Sequence, residues 1–409
     1  MPFAILSILV FWGTTLLAAP PENCRVCHRV TLSGAHRSLS CSGCHGDGER
    51  PPFSIASADA GARGCIPCHR GKEGVFSHAM AVREGERLFA ARTWGRHDPR
   101  FWETNCDGCH LTGCLDCHGS GHAITPPSDD LCLRCHRAPY TGSDYHGIAP
   151  REDNNRYQRG ALRFGQRGLT MRPDIHAERG IPCRRCHTMT SFLDGKRSAT
   201  SCTDCHSPSQ RVLEHRIGRH LERMTCHACH AAWSPQEYGT FFIHFRESDH
   251  SDFDLSTKRG EYARSAYLRS QEAPPLGIDQ KGRYSPIRPL FIAYYTELFR
   301  NRPLVENLLL AAEWVPVAPH TIRRGTPLCS HCHDDRRRFL LEPEGDRIYD
   351  LLRDGMGLSS FWDQKGQTIR GGRFVTPAEG ERIFRRTPAQ IRGEVEKWER
   401  FLTPRGGRE

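Results

Sequence analysis

The sequence predicts a mostly α-helical or irregular fold with little regular secondary structure, and three observations lead to this prediction. Apolar residues make up only 37% of the chain, which is low for a globular protein. A CxxCH pattern occurs ten times, and nine of the copies lie between residues 24 and 230. Glycine- and proline-rich stretches separate the copies, as in Ser120 to Ser128 and Pro139 to Gly147. We therefore expect short helices around the CxxCH motifs and loops between them, without the layered apolar core of an ordinary domain.

Every cysteine belongs to this pattern, because the 20 cysteines form ten CxxC pairs and a histidine follows each pair. The motifs are Cys24, Cys27 and His28; Cys41, Cys44 and His45; Cys65, Cys68 and His69; Cys106, Cys109 and His110; Cys114, Cys117 and His118; Cys132, Cys135 and His136; Cys183, Cys186 and His187; Cys202, Cys205 and His206; Cys226, Cys229 and His230; and Cys329, Cys332 and His333. In such a motif the two thiols add across the vinyl groups of one haem, and the histidine binds its iron as proximal ligand. The sequence thus predicts ten covalently attached haem c groups and a haem-packed core.

Other uses of CxxC pairs explain the pattern less well. Zinc sites use thiolates in pairs but do not require a histidine after every pair. Disulfides suit an exported chain, and a thioredoxin-like redox site needs one CxxC on a helix. Neither of these uses accounts for the ten histidines.

Eleven further histidines are candidate distal ligands of haem iron. Two histidines outside the motif positions, His227 and His331, lie inside CxxC loops, where they do not reach their own iron. The remaining candidates are His36, His78, His97, His122, His146, His176, His215, His220, His244, His250 and His320. The chain has only six methionines, so we expect bis-histidine ligation at most irons and low reduction potentials. For any single candidate, the alternative is a surface position or a hydrogen bond to a haem propionate.

Six of these candidates form a loose repeat, in which four to nine residues separate the histidine from the motif that follows. The six are His36, His97, His122, His176, His220 and His320. Two motifs also lie very close together, because only three residues separate His110 from Cys114. We expect the haems of these two motifs to be stacked.

The N-terminal residues predict a signal peptide over residues 1–19. An apolar run from Phe3 to Leu17 is followed by the small residues Ala18 and Ala19, as at a cleavage site. The alternative is a retained N-terminal anchor, although the run is short for spanning a bilayer. We expect export to the periplasm, the cell surface or the extracellular space.

The rest of the chain divides by motif density into two predicted domains. Residues 20–230 form a nine-haem cytochrome c domain, and residues 231–409 form a C-terminal module with one haem and a helical tail. Within the module, Pro303 to Trp314 is interpreted as a helix with proline in its first turn. Pro388 to Leu402 has apolar residues at helical spacing after Thr387, a predicted N-cap.

The formal net charge of +10 would ordinarily suggest a nucleic acid or an acidic surface as partner. Each haem brings two propionates and, when ferric, one positive charge on the porphyrin iron, so ten oxidised haems add roughly ten negative charges. The holoprotein is then close to neutral, and nucleic-acid binding is not expected. Of the 57 basic residues only six are lysine; this arginine bias suits bidentate pairing with propionates, or reflects a GC-rich genome.

Four stretches resemble multihaem c-type cytochromes of bacterial respiratory electron transfer, especially those of metal-reducing bacteria. They are CDGCHLTGCLDCH (Cys106 to His118), APREDNNRYQRG (Ala149 to Gly160), MRPDIHAERGIPCRRCHTM (Met171 to Met189) and PHTIRRGTPLCSHCH (Pro319 to His333). The resemblance covers roughly residues 20 to 340. It implies periplasmic or cell-surface electron transfer, with His176 and His320 as distal ligands, often to a haem other than the one that each precedes.

These observations favour an electron carrier of an anaerobic respiratory chain, with no catalytic residues. Its expected partners are other redox proteins, such as cytochromes, a quinol-oxidising complex or an outer-membrane conduit. One alternative is a multihaem oxidoreductase acting on a small nitrogen or sulfur oxyanion, with an open iron at the Cys329 or Cys226 motif near His244 or His250. Family enzymes commonly mark such a haem by an unusual proximal ligand, whereas all ten motifs here end in histidine. Another alternative is a homo-oligomer or filament with an exposed haem at each end.

Overall fold

The structure is a computed structural model. It describes residues 36–40, 65–106, 110–119, 122–136, 162–163, 166–167, 174–196, 198–212, 214–249, 258–325, 327–344, 368–386 and 388–403. The predicted signal peptide, the motifs at Cys24 and Cys41, Cys109 and the candidate ligands His146 and His250 lie outside these residues. The chain divides into two compact units, which are unit 1 (Met1–Val82 and Leu111–Pro127) and unit 2 (Arg83–His110 and Ser128–Glu409).

Short helices and a set of longer strands make up the described residues. The α-helices are α1 (Ala79–Val82), α2 (Glu84–Arg92), α3 (Phe101–Asn105), α4 (Leu115–His118), α5 (Asp129–Cys135), α6 (Ile175–Glu178), α7 (Met189–Leu193), α8 (Gly218–Arg223), α9 (Cys226–His230), α10 (Ser330–His333), α11 (Pro377–Phe384) and α12 (Pro388–Leu402). The 3-10 helices are Glu73–Ser77, Trp94–Arg96, Cys183–Arg185, Cys202–Asp204, Glu214–Arg216 and Arg336–Phe339. The strands are β1 (Leu162–Arg163), β2 (Gln166–Arg167), β3 (Trp233–Arg246), β4 (Lys258–Arg259), β5 (Tyr262–Glu272), β6 (Leu276–Asp279), β7 (Tyr284–Phe299), β8 (Arg302–Pro316), β9 (Thr368–Ile369) and β10 (Gly372–Arg373).

Unit 2 is organised around an eight-stranded mixed sheet. Its strands follow the order β10-β6-β7-β3-β5-β4, and β8 joins β7 to β9. Strands β3 and β7 run parallel, with Phe242 opposite Tyr295, whereas β3–β5 and β7–β8 are antiparallel. All eight strands lie within residues 231–409. The predicted division into two domains at residue 230 stays a prediction.

This sheet contradicts the predicted fold class. The expectation of a mostly α-helical or irregular chain with little regular secondary structure is wrong, because β3, β5, β7 and β8 are 14, 11, 16 and 15 residues long. The physical reason lies in the motif-free sequence after His230. Runs such as TFFIHF in β3 and PLFIAYY in β7 are rich in aromatic and β-branched residues, which favour a half-buried pleated surface. The low apolar content of the chain reflects its motif-rich part and does not extend to residues 233–316, which form the long strands.

Apolar side chains pack against both faces of this sheet. In one cluster Trp314 and Ile292, both fully buried, contact Leu340 from the segment after the last motif. In another, Phe89 of α2 and Phe101 of α3 pack on sheet residues that include Phe242. Such burial contributes roughly 1.5–3 kcal/mol for each large side chain. The sheet therefore has a conventional core made by its own residues.

One predicted helix is wrong and another is confirmed. Residues Pro303 to Trp314, predicted as a helix, form part of β8 and pair with β7. The reversal occurs at Arg300 and Asn301, whose φ angles of 48° and 60° lie in the left-handed region. Cross-strand pairing here overrides a local preference for helix. Pro388 to Leu402 is a helix as predicted.

The apolar face of α12 is only partly covered in the structure. Ile391, Val395 and Leu402 are exposed. Among the described residues, no helix is long and apolar enough to cross a membrane.

Candidate haem sites

Each described CxxCH motif is built on a single helical turn. In six motifs the backbone N–H of the histidine donates to the carbonyl of the first cysteine at 2.9–3.0 Å, at His69, His118, His136, His187, His206 and His333. In the seventh, α9 itself spans Cys226 to His230. Residues three and four apart on a helix share one face. The turn therefore points both thiols and the imidazole of a motif to the same side, as attachment and ligation of one haem require.

Five pairs of histidine rings lie at nearly equal separations. Each pair combines one motif histidine with one of the candidate distal histidines. The ring centres are 5.9 Å apart for His36 and His69, 6.0 Å for His176 and His206, 6.0 Å for His187 and His320, 6.0 Å for His215 and His230, and 6.1 Å for His220 and His333. The first pair belongs to unit 1 and the other four to unit 2.

The common separation fits an iron bound between two imidazoles. A metal lies about 2 Å from an imidazole nitrogen and the ring radius adds about 1 Å on each side, so the two ring centres are about 6 Å apart. Rings in van der Waals stacking would be closer, as in the 4.3 Å between His97 and Tyr295. The paired residues therefore fit a bis-histidine haem, whose porphyrin supplies the other four ligands.

Hydrogen bonds at Nδ1 orient several of these rings. His230 Nδ1 lies 3.1 Å from the Arg323 carbonyl and His333 Nδ1 lies 2.8 Å from the Ile383 carbonyl. The distal candidates His215 and His176 have similar contacts, at 3.3 Å with the Ser209 carbonyl and 2.7 Å with the Asp174 carboxylate. An oxygen acceptor holds the proton on Nδ1 and leaves the Nε2 lone pair for a metal. The tautomer that an iron needs is thus selected at both ends of the His215–His230 pair.

Burial favours the neutral, metal-binding form of the His320 ring. Burial lowers the pKa of His320, and the neighbouring His187 lowers it further. The ring is therefore neutral near pH 7, which is the form that binds a metal.

The remaining candidate ligands have other described contacts. The ring of His97 stacks on Tyr295, and His244 stacks on Tyr262 with its ring centre 4.3 Å away. His244 Nδ1 is also 3.2 Å from the Tyr295 hydroxyl. His78 Nδ1 accepts the Met80 N–H at 3.2 Å, a contact that places the ring proton on Nε2. The ligand roles of His78 and His122 stay predictions.

Three motif histidines are described without being members of the five pairs. His118 Nδ1 lies 3.2 Å from the Thr125 carbonyl, an arrangement like that of His230. His110 Nε2 lies 2.9 Å from the carbonyl of Cys106, in its own motif. Burial lowers the pKa of His136, and the nearby His187 adds to the effect. The boundary between the two units falls between His110 and Leu111, and the predicted haem stacking at this point stays a prediction.

Cysteines of different motifs also come together within unit 2. The thiols of Cys132 and Cys183 hydrogen-bond, as do those of Cys202 and Cys226, while Cys186 lies near Cys202 and Cys229 near Cys332. Burial raises the pKa of Cys183 to about 12, whereas the hydrogen bond with Cys202 lowers the pKa of Cys226 to about 6. These contacts connect five consecutive motifs, from Cys132 to Cys329, each to the next.

Unit 1 shows the same arrangement on a smaller scale. The Cys65 thiol hydrogen-bonds to Cys114, and burial together with this neighbour raises the pKa of Cys65 to about 11. The motifs at Cys65 and Cys114 therefore also lie side by side.

Two buried side chains beside the candidate sites are not indicated by the sequence analysis. Asp174 is buried beside His176, and its position as a helix N-cap two residues before a candidate ligand could have indicated it. Arg338 is 2% exposed and lies at Cys332, where its guanidinium donates to the carbonyls of Pro274 and Ala228. Nothing in the RRR sequence of residues 336–338 distinguishes the buried arginine from its neighbours.

Among the described residues, no group of three or more His, Cys, Asp or Glu side chains is placed to hold a metal ion. The recurring arrangement is instead a pair of histidine rings.

Comparisons of the chain with protein-family models, curated proteins and solved structures found no match.

Proposed function

We propose that this chain is an electron-transfer protein that carries ten c-type haems, most of them bound by two histidines. The observation that carries the proposal is the set of five histidine pairs, each with one motif member and ring centres 5.9–6.1 Å apart. Members of four pairs are separated by a complete CxxCH motif or more along the chain. Their common spacing is therefore a property of the fold rather than of local sequence.

The protein's own residues position and insulate the cofactors. When bound, each haem iron would take up and release one electron between its ferric and ferrous states. The motif turn would hold the porphyrin through two thioether bonds, the paired imidazoles would bind its iron, and the carbonyls at Nδ1 would increase the basicity of those imidazoles. Two imidazoles without a thioether favour low reduction potentials.

The contacts between motifs support a continuous path in unit 2. Cysteine contacts connect the motifs of Cys132, Cys183, Cys202, Cys226 and Cys329 in chain order. Since these cysteines would be joined to porphyrin edges, neighbouring haems would approach closely along the whole series. Electrons would enter from one redox protein and leave to another, in the periplasm or at the cell surface.

The proposal is tested by producing the chain in a host with cytochrome c maturation. We expect a Soret band, an intact mass that includes ten haems, a low-spin ferric spectrum, and reversible uptake of ten electrons at low potential in film voltammetry. A purified chain that lacks haem, or one that releases zinc stoichiometrically on denaturation, would contradict the proposal.

The oxidoreductase alternative requires an iron with an open position. The candidate positions are the Cys226 and Cys329 motifs, whose His230 and His333 are paired with His215 and His220. These pairs would supply two imidazole ligands to each iron, which favours electron transfer over catalysis at these two sites. Cyanide or carbon monoxide titration of the wild-type protein separates the two functions, since a catalytic haem would bind the ligand and a bis-histidine haem would not.

A further inference from the structure

Asp174 is a buried carboxylate placed at the start of α6. Its side chain caps the helix, with Oδ1 accepting the backbone N–H of His176 at 2.8 Å. The residue is 7% exposed. A cap of this kind stabilises a helix modestly, and α6 has only four residues. Burial of a carboxylate costs free energy, so capping of so short a helix does not by itself account for the buried position of Asp174.

The same carboxylate makes two further hydrogen bonds. Oδ1 lies 2.7 Å from Nδ1 of His176, the ring that is paired with His206. Oδ2 accepts the backbone N–H of Ile322 at 2.9 Å. Asp174 therefore connects a candidate iron ligand with a segment almost 150 residues further along the chain.

The segment that Asp174 holds, His320 to Arg323, contacts two other candidate haem sites. His320 is paired with His187. The Arg323 carbonyl lies 3.1 Å from His230 Nδ1, and its N–H donates to the His230 carbonyl at 2.9 Å. We call Asp174 together with residues 320–323 the clamp. It joins the sites of three successive motifs, those at Cys183, Cys202 and Cys226.

We propose that Asp174 is a positioning residue for two haem irons. Its carboxylate orients His176 toward the haem at Cys202 and Cys205, and its bond to Ile322 fixes His320 toward the haem at Cys183 and Cys186. This inference rests on the proposed function and adds to it a residue that sets both ligation and potential.

The sign of the effect on the potential follows from charge. A carboxylate that accepts the Nδ1 proton makes the imidazole a more basic ligand. A more basic ligand stabilises ferric iron relative to ferrous iron and lowers the reduction potential. Asp174→Asn retains an oxygen for Nδ1 but has no negative charge, and its NH2 group cannot accept the Ile322 N–H. The potential of the haem at Cys202 should therefore rise, and His320 should be held less firmly.

The test compares Asp174→Asn and Asp174→Ala with Glu178→Gln as a matched control. Glu178 lies in the same helix and forms an ion pair with Arg323 of the clamp at 2.7 Å, so Glu178→Gln removes a charge beside the clamp while the hydrogen bonds of the Asp174 carboxylate remain. In the holoprotein we expect Asp174→Asn to shift one redox step upward in film voltammetry. We expect Asp174→Ala to bind up to two carbon monoxide molecules more than the wild type, with a matching high-spin signal. Glu178→Gln should leave both measurements unchanged.

The outcomes separate this inference from the proposed function. A wild-type chain without haem contradicts the proposed function itself. A wild-type chain with ten haems, together with Asp174 variants that match it in potentials and ligand binding, overturns the positioning role alone. Equal shifts in Asp174→Asn and Glu178→Gln also overturn it, because the effect would then come from loosening of the clamp in general. If Asp174→Ala does not fold, the reduction potential measured for Asp174→Asn decides whether Asp174 has the positioning role.

Discussion

Two regions of unit 2 are stabilised in different ways. The sheet buries Trp314, Ile292 and other large side chains completely. The segment from Asp174 to His230 carries three motifs, yet its buried residues in the described part are Asp174, Ser191 and Ala228. The comparison shows that the sheet has a core encoded in its own side chains. The described part of the motif segment has no such core, and in the proposed holoprotein the haems attached to its cysteines would supply one.

Withholding haem is expected to have the largest effect on this comparison. In a host without cytochrome c maturation, the motif segment should lose amide protection almost to the unfolded level, because it lacks a core of its own. Amides of β3, β7 and β8 should stay protected. Hydrogen exchange with mass spectrometry measures both regions in one sample. Equal amide protection of residues 174–230 and of the sheet in the haem-free chain would contradict the view that only the sheet has a core of its own.

Trp314→Ala is expected to have the next largest effect, confined to the sheet. Trp314 is 0% exposed, and removal of such a ring costs about 3–5 kcal/mol of unfolding free energy. The Soret spectrum at low denaturant should not change. Leu304→Ala is the control on the same strand, since Leu304 is 58% exposed and should lose at most about 0.5 kcal/mol. A loss of haem from Trp314→Ala at low denaturant would show that the two regions are not separate.

His220→Ala tests the motif side of the comparison. It removes the ring paired with His333, so one haem of ten should become high-spin and bind one carbon monoxide molecule. His331→Ala is the control, because His331 lies inside the same motif and its Nδ1 accepts the Leu328 N–H at 3.3 Å. Carbon monoxide titration of both variants measures how many haems have an open position. Equal stoichiometry in the two variants would refute the assignment of His220 as the distal ligand of the haem at Cys329 and Cys332.

Thr321→Val tests the connection between the two regions. Thr321 is buried at 1% exposure, and its hydroxyl donates to the Trp233 carbonyl at 2.6 Å, at the start of β3. Loss of this bond should cost about 1–3 kcal/mol and disturb the His187–His320 pair as well. Thr403→Val removes a bond of equal length at an exposed site and should change little. Denaturant unfolding followed by tryptophan fluorescence and by Soret absorption would show whether both signals respond to the first variant.

The smallest expected effect is the pH dependence of the free energy of unfolding that comes from Glu379 in α11. The hydrogen bond from Arg373, with the cap at Thr376, holds the pKa of Glu379 at about 2, well below its ordinary value of 4.5. A lowered folded-state pKa means that the interaction stabilises the protein above about pH 4.5 and is lost as pH falls toward 2. Because the pair is largely exposed, screening keeps the effect small. The stability difference between wild type and Glu379→Gln should shrink over this pH range, and a constant difference would argue against the linkage.

The sequence alone predicts which residues would attach and ligate haem, but not which histidines lie together in space. A CxxCH motif is local, so its candidate ligands can be named without a structure. The distal partner is not local, since His36 precedes Cys41 but is paired with His69. Likewise His176 precedes Cys183 but is paired with His206, and His220 precedes Cys226 but is paired with His333. In the proposed holoprotein, a linker of four to nine residues would be short for reaching around a porphyrin to its far face, which would explain why each of these histidines is paired with a motif other than the one that it precedes.

The sheet was missed because its sequence signals conflict. Residues 303–314 contain the run LLLAAEW, whose leucine, alanine and glutamate favour a helix. The structure uses this run as β8, because β7 offers a complete edge for antiparallel pairing after the turn at Arg300. Periodicity within one segment cannot report such a partner. Helix α12 was predicted correctly because a regular apolar stripe identifies it locally.

In the proposed holoprotein, the pairing of histidines that are distant in sequence would also constrain the order in which the chain matures. A haem attached at Cys183 and Cys186 would have His187 and His320 as the ligands of its iron, and His320 is synthesised much later. Until the residues beyond β8 are made, that iron would have one protein ligand. Completion of the middle of the protein would then depend on its C-terminal third, and a truncated product would carry an iron with an open coordination position.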